Sequence, residues 1–163
     1  MNKNQSMQIT EEKIDEESQW VTFSLAKEIY GIRVLKVQEI QRHSEISSIP
    51  GASPHVLGII NLRGEVICVI DTCAKFGLPD FEITDNTRII ILEADKSVIG
   101  LLVDGVDEVL TIKQSEMNSA PNVGSNESAP FIESVCNRNN KLLILLNVEN
   151  ILTNEEWREV VSL

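Results

Sequence analysis

The sequence predicts a mainly β protein made of two copies of one small antiparallel β-unit. Its first half reappears in its second half at two constant shifts. A shift of 69 residues aligns Gly31 with Gly100, Val34 with Val103, Val37 with Val106, Glu39 with Glu108 and Ile40 with Val109. A shift of 76 residues aligns Ile59 with Val135, Asn61 with Asn137, Ile67 with Leu143, Val69 with Leu145, Asp71 with Asn147 and Phe76 with Leu152. Short apolar runs also alternate with turn residues. Two small barrels that share a core fit best, because closure removes exposed strand edges.

The first half begins with two predicted strands, residues 20–25 and 30–34, in which apolar and polar residues alternate. Val37, Glu39 and Ile40 are expected to continue the second strand. A loop rich in serine, proline and glycine then separates these strands from the centre of the chain.

The central element is a predicted hairpin over residues 58–71, with the sequence G-I-I-N-L-R-G-E-V-I-C-V-I-D. Its apolar runs are too short for a buried helix and have the composition of strands. Gly64 stands where a tight turn needs a positive φ. The turn therefore holds Arg63 at the tip of a stiff, apolar hairpin, where it is either a contact residue or a solvated turn residue.

The second half repeats this order, with predicted strands over residues 88–92 and 98–103 and a hairpin over residues 132–136 and 142–146. Residues 114–130 are rich in Ser, Asn and Pro and predict a longer second loop.

Two short helical segments are predicted from their caps. Asp71 is a candidate N-cap for residues 72–76, which Gly77 ends. Thr153 and Glu156 form a capping box that opens a C-terminal helix over residues 153–163. The predicted apolar face of this helix consists of Trp157, Val160 and Val161.

Composition limits the possible functions. The net charge of −11 argues against binding to nucleic acid or to an anionic membrane surface, since both require a basic face. No run approaches the roughly 18 apolar residues of a membrane span, so no direct membrane insertion is expected. A polar, acidic and flexible tail is expected over residues 1–18, without the features of a signal peptide. Three cysteines, Cys68, Cys73 and Cys136, form an odd set that indicates a reducing cytoplasm.

The chain shows little sign of catalysis. His43 and His55 lack partners at metal-ligand spacing, so no metal site is expected. A hydrolase that uses Asp71 is the alternative, since aspartic proteases pair two carboxylates from duplicated halves. That reading requires a second acid beside Asp71, but Asn147 stands at the repeated position.

Four sequence blocks resemble one family, the CheW-type chemotaxis coupling proteins. They are Y-G-I-R-V-L-K-V-Q-E-I at residues 30–40, V-L-G-I-I-N-L-R-G-E-V-I-C-V-I-D at residues 56–71, V-I-G-L-L-V-D-G-V-D-E-V-L at residues 98–110 and L-L-I-L-L-N-V-E-N-I-L at residues 142–152. The resemblance covers nearly the whole chain, and the blocks occur in the family's order. It implies one CheW-like domain over residues 19–154, with pseudo-repeats over roughly 20–80 and 88–152.

The resemblance implies a fold of two intertwined SH3-like five-stranded barrels with a common interior. It also implies a cytoplasmic adaptor that links the tips of methyl-accepting chemotaxis receptors to the regulatory domain of the histidine kinase CheA, and that is recruited to membrane-associated receptor arrays. No cofactor and no catalysis are expected. A related scaffold in another kinase pathway, for motility or gene control, is the alternative that the sequence leaves open.

The family's receptor-facing groove lies between the barrels. Carried over by motif, it comprises Val37, Glu39, Ile40, Gly58, Asn61, Arg63, Gly64 and Val66. Glu39 or a receptor carboxylate is expected to hold Arg63. For Val37 and Ile40, a place in the barrel core is the alternative reading. The residues that face the kinase cannot be placed from the pattern.

Overall fold

The computed structural model describes residues 14–119 and 130–162. This part of the chain contains eleven β-strands, two α-helices and three 3-10 turns. The strands are β1 Glu17–Leu25, β2 Glu28–Arg33, β3 Val37–Arg42, β4 Val56–Leu62, β5 Glu65–Asp71, β6 Arg88–Ala94, β7 Ser97–Val103, β8 Gly105–Lys113, β9 Met117–Asn118, β10 Ile132–Arg138 and β11 Lys141–Leu146. The helices are α1 Thr72–Phe76 and α2 Asn154–Ser162, and the 3-10 turns are Val34–Lys36, Gln114–Glu116 and Val148–Asn150.

The strands form two sheets, which we call barrel 1 and barrel 2. Barrel 1 has the strand order β8-β1-β2-β11-β10-β9, and barrel 2 has the order β3-β6-β7-β5-β4. Each barrel therefore contains a hairpin from one half of the chain and strands from the other half. This exchange confirms two intertwined barrels. Barrel 2 has the expected five strands, whereas barrel 1 has a sixth, the two-residue β9.

One strand pair in each barrel has a register that matches the two shifts of the predicted repeat. In barrel 1, Gly31 of β2 pairs with Leu145 of β11 in parallel. In barrel 2, Gly100 of β7 pairs with Val69 of β5 in parallel. These pairs are related by the shifts of 69 and 76 residues. A Cβ added at Gly100 would lie 2.8 Å from Ile89 Cγ2, so close packing excludes a side chain there.

The interior consists of three apolar clusters. The large shared core lies between the barrels, and a smaller cluster fills each barrel. Aromatic rings cross the shared core, with centroid distances of 5.8 Å from Phe23 to Tyr30, 5.5 Å from Tyr30 to Phe76 and 4.3 Å from Phe76 to Phe131. Because alternate residues of a strand face opposite sides, β5 directs Ile67 and Val69 into barrel 2 and Cys68 and Ile70 into the shared core.

Four hairpins close through two-residue turns with positive φ at both positions, the geometry that suits the twist of paired strands. The turn residues are Ala26 and Lys27, Arg63 and Gly64, Asp95 and Lys96, and Asn139 and Asn140. The prediction of a positive φ at Gly64 is confirmed, since its φ is +87°.

Two sequence expectations are corrected. Val37 to Ile40 do not continue the second strand, because the 3-10 turn Val34–Lys36 intervenes and β3 joins the other barrel. Alternation of apolar and polar residues is compatible with one long strand or with two strands that are separated by a turn. Strand β1 begins at Glu17, inside the range 1–18 expected to be a tail, of which residues 1–13 lie outside the described residues.

The C-terminal helix has the predicted capping box. The Glu156 backbone N–H donates to Thr153 Oγ1 at 3.2 Å, and the Thr153 N–H donates to Glu156 Oε1 at 2.7 Å. Trp157 is buried in the shared core, and its ring N–H donates to the Glu149 carbonyl at 3.2 Å. The predicted apolar face is wrong at Val161, which is 70% exposed.

Glu156 also attaches α2 to barrel 2. It contacts Lys75 Nζ at 2.6 Å and lies against His55 Nε2. Burial raises the pKa of its carboxyl, but hydrogen bonds from Lys75 and Thr153 outweigh burial, so the net shift is downward. Neither α1 nor α2 is long and apolar enough to cross a membrane.

We expect acidification to loosen α2. A depressed folded-state pKa means that the contribution of Glu156 is present above the pKa of the unfolded chain and is lost as pH falls through the folded value. The protection factors of α2 amides in hydrogen exchange, which are corrected for the intrinsic pH dependence of exchange, should therefore fall below about pH 4.5, before β6 and β7 lose protection. Glu156→Gln should abolish this difference, whereas equal pH dependence in the variant would contradict the assignment.

Ile67→Ala tests the register of the central hairpin. Ile67 is 2% exposed inside barrel 2, so truncation should leave a cavity and cost about 2–5 kcal/mol in the free energy of unfolding. The neighbouring Val66→Ala is the control, because Val66 is 59% exposed and surface substitutions stay within about 0.5 kcal/mol. Urea denaturation measures both, and equal losses would contradict the register.

Candidate functional site

The tip of the β4–β5 hairpin carries Arg63 in a fixed position. Arg63 has a φ of +51°, and the next backbone N–H, of Gly64, donates to Asn61 Oδ1 at 3.0 Å. An asparagine side chain that bonds to the backbone across a turn stabilises that turn. The local sequence therefore fixes the backbone of the turn that carries the arginine.

Arg63 forms an ion pair with Glu39 of β3. The Arg63 Nη1 to Glu39 Oε1 distance is 3.3 Å, and Nη2 contacts Oε2, so both arms of the guanidinium meet the carboxylate. Gln41 donates to the same carboxylate from the next position along the face of β3. Strands β3 and β4 lie at opposite edges of the barrel 2 sheet. The pair therefore joins these edges across the mouth of barrel 2.

Electrostatics stabilise the charged form of both partners. The hydrogen bonds from Arg63, followed by that from Gln41, lower the pKa of Glu39 below its usual value. The bond to Glu39 in turn raises the pKa of Arg63. The Arg63 side chain is 70% exposed, so its outer face remains open to a partner. Both groups are thus charged at neutral pH and held in one geometry.

Two apolar side chains accompany the ion pair at the surface. Ile40 of β3 is 41% exposed and Val66 of β5 is 59% exposed. Both belong to strands whose neighbouring residues enter the shared core, namely Ile90 opposite Ile40 and Cys68 two residues after Val66. They therefore lie on the side of barrel 2 that packs toward barrel 1, at its exposed margin.

The other predicted site residues differ in exposure. Asn61 and Gly64 are exposed at the tip beside Arg63. Val37 is half-buried and packs against the shared core, the alternative left open for it. Gly58 is buried, and a Cβ there would lie 2.1 Å from the Ser47 carbonyl oxygen. Gly58 thus lets the loop before β4 lie against the strand, and it presents no side chain or exposed surface.

Sequence reasoning missed two exposed apolar residues that the repeat itself indicates. Val109 of β8 is 56% exposed and Leu142 of β11 is 48% exposed. The shift of 69 residues relates Val109 to Ile40, and the shift of 76 relates Leu142 to Val66. Both barrels therefore carry the same pair of exposed apolar positions, which a comparison of aligned positions could have found.

Barrel 1 closes in a related but different way. Arg138 at the end of β10 donates to the Thr111 carbonyl of β8 at 2.8 Å and lies 3.4 Å from Glu116. Each barrel thus uses an arginine near the tip of one hairpin, β4–β5 in barrel 2 and β10–β11 in barrel 1, to reach the opposite edge strand. This arginine stands one position before the residue aligned with Arg63.

The residues considered for catalysis have structural roles. Asp71 Oδ1 accepts the Ala74 N–H at 3.1 Å and caps α1, as predicted. Its repeat equivalent, Asn147, accepts the Glu149 N–H in the same manner. Across residues 14–119 and 130–162, no group of three or more His, Cys, Asp or Glu side chains could hold a metal ion. All three cysteines are buried, and burial raises the pKa of Cys68 and of Cys73 to about 11.

Comparisons with known proteins agree on one family. The family model described as a CheW-like domain matches residues 19–156. The chemotaxis protein CheW of Bacillus subtilis is 34% identical over 86% of this chain and 90% of its own length. CheW of Klebsiella aerogenes is 31% identical over 85% of this chain and 83% of its own length. The crystal structure of the scaffolding protein TtCheW from Thermoanaerobacter tengcongensis superposes with a TM-score of 0.78 at 32% identity, covering 88% of this chain and 93% of that one.

Proposed function

The chain belongs to the CheW-like family of chemotaxis adaptors, and from that premise we propose that it couples chemotaxis receptors to the histidine kinase CheA. The coupling takes place in the cytoplasm, where receptor arrays recruit the adaptor. The single observation that supports the receptor contact is the arrangement at the mouth of barrel 2. An arginine is held there by a carboxylate, and exposed apolar residues lie beside it.

This arrangement suits an amphipathic helical partner. A helix binds a protein surface by placing an apolar stripe against apolar side chains, and polar residues at the margin set its orientation. Ile40 and Val66 supply apolar contact at the margin of barrel 2. The exposed outer face of Arg63 can form a second, charge-assisted hydrogen bond with a carboxylate on the receptor. The receptor thus meets a contact whose charged group is already oriented.

The adaptor role also requires a second contact for the kinase. A protein that connects two partners has to hold both at once, so the two surfaces need to be separate. The duplicated fold provides a second surface in barrel 1, where Val109 and Leu142 repeat the exposed apolar positions of barrel 2. A regulatory kinase domain similar in fold to this chain would meet it barrel to barrel.

Arg63→Glu should weaken receptor binding at least tenfold, because it reverses the charge at the centre of the contact and repels Glu39. The matched control is Arg42→Glu, which makes the same charge change at an exposed position of β3. Co-sedimentation with receptor-containing membranes measures binding, and circular dichroism at rising temperature monitors folding. Equal losses in both variants would contradict a specific role for Arg63.

Val66→Glu should also reduce receptor binding without unfolding the chain, because it places a charge on an exposed apolar contact. Ile83→Glu is the control, since Ile83 is 50% exposed in the loop between α1 and β6. If the two variants bind receptor equally well, the apolar margin of barrel 2 is not the contact.

The proposal as a whole is tested with the receptors and the kinase that the same genome encodes. Mixing them with this chain should yield co-sedimenting receptor–adaptor–kinase complexes and receptor-dependent changes in kinase autophosphorylation. Failure of the unmodified, folded chain to bind either partner would overturn the proposed function.

A further inference from the structure

The mouths of barrel 1 and barrel 2 differ at the position that Arg63 occupies in barrel 2. In barrel 2, Glu39 is paired with Arg63. The shift of 69 residues relates Glu39 to Glu108, so the carboxylate is present in both barrels. The shift of 76 relates Arg63 to Asn139, so the arginine is not. Barrel 1 therefore keeps the acceptor of the pair and lacks its donor.

The backbone of Glu108 is as firmly placed as that of Glu39. The buried Thr22 hydroxyl donates to the Glu108 carbonyl at 2.7 Å, and the Glu108 N–H donates to the same hydroxyl oxygen at 3.1 Å. The Glu108 carboxylate, however, has no hydrogen bond or ion pair with any residue in the ranges 14–119 and 130–162. A carboxylate without a cation is thus available at this mouth, on a backbone position that two hydrogen bonds hold in place.

The carboxylate borders a recess of about 380 Å³ with both apolar and charged walls. Leu110 and Leu142 supply apolar surface beside Glu108 and Asn139. Long basic side chains favour such a site, because the alkyl stem packs on apolar groups while the charged end meets an acceptor.

The charges around the recess favour a cation. Arg138 lines it, but its guanidinium is already bonded to the Thr111 carbonyl and lies 3.4 Å from Glu116. The remaining charged side chains are Asp107, Glu108 and Lys141, so two carboxylates face one ammonium group. Lys141 forms no ion pair with Glu108 within 4.0 Å in the described structure.

We propose that the mouth of barrel 1 receives an arginine side chain from a partner protein, with Glu108 as its acceptor. The guanidinium takes the place that Arg63 occupies in barrel 2, and its stem lies on Leu110 and Leu142. Arginine suits this role because its planar fork meets a carboxylate through two parallel hydrogen bonds. The inference rests on the proposed function in one respect, namely that an adaptor needs a second surface for its second partner.

The first test uses N-acetyl-arginine amide as the probe, with the uncharged N-acetyl-citrulline amide as its matched control. NMR titration of the full chain should show saturable amide shifts at Asn139 and Leu142 with a dissociation constant of about 1–10 mM for the arginine probe. The citrulline probe should cause none. Equal responses to the two probes, or shifts centred on the mouth of barrel 2, would overturn the proposal.

Two variants locate the acceptor. Glu108→Gln should weaken binding of the arginine probe by about fivefold or more, since the substitution removes the charge and keeps the shape of the side chain. Glu82→Gln, in an exposed loop, is the control and should leave binding unchanged. Lys141→Met should leave binding unchanged or strengthen it. Unaltered binding in Glu108→Gln would refute Glu108 as the acceptor.

Asn139→Arg supplies the missing arginine from the chain itself. Asn139 has a φ of +52° and Arg63 has a φ of +51°, so the turn geometry accommodates an arginine. The variant should pair internally with Glu108 and lose binding of the arginine probe, with no fall in thermal midpoint. Retained probe binding in the folded variant would count against the site.

The same variant separates this inference from the proposed function. In a mixture with receptor and kinase, Asn139→Arg should weaken the binding of the kinase by about fivefold or more and leave receptor co-sedimentation intact. If assembly is normal in Asn139→Arg and Glu108→Gln, the arginine site is wrong although the adaptor role stands. If the unmodified chain binds the arginine probe but neither receptor nor kinase, the adaptor role fails although the site stands.

Discussion

The parallel pairing of strands from different halves of the chain is the constraint on which the fold depends. Each sheet has such a pair at its centre, β2 with β11 and β7 with β5, and a glycine lies in each. Since each barrel needs strands from both halves, one half cannot complete a sheet by itself. A unit of this size buries little apolar surface alone, whereas the exchange produces the shared core between the barrels. The barrels are therefore held in a fixed relation, and a surface at their junction keeps its shape.

The Arg63–Glu39 pair acts within barrel 2 and holds a charged group in one geometry. An exposed ion pair adds little to stability, because water screens it and two long side chains lose freedom. The pair instead has a local structural role, because it joins strands from opposite edges of one sheet and sets the direction of a guanidinium. In the proposed function, a partner would meet a charge that is already oriented, and less conformational entropy would be lost on binding.

The sequence could predict the features that depend on neighbouring residues. The turn at Gly64, the cap at Asp71 and the capping box at Thr153 need only local geometry, and all three are present. The repeat was visible because core positions and turn residues recur at constant shifts. The separation of β2 from β3 was not visible in the sequence, since alternation of apolar and polar residues defines the faces of a strand but not the sheet that the strand joins. Gly58 shows the same limit, because its role depends on a loop eleven residues earlier lying against it.

Duplication also explains how one small fold can present two different contacts. Twofold repetition supplies each exposed apolar position twice, as the pairs Ile40 with Val66 and Val109 with Leu142 show. If the two mouths were identical, they would compete for the same partner. An adaptor, however, has to distinguish between two partners. Specificity is a difference of affinities, and a single charged group inserted or withheld can create that difference. The two halves retain the strand register that the shared core requires and diverge at Arg63 and Asn139, where a turn residue can change without disturbing the core.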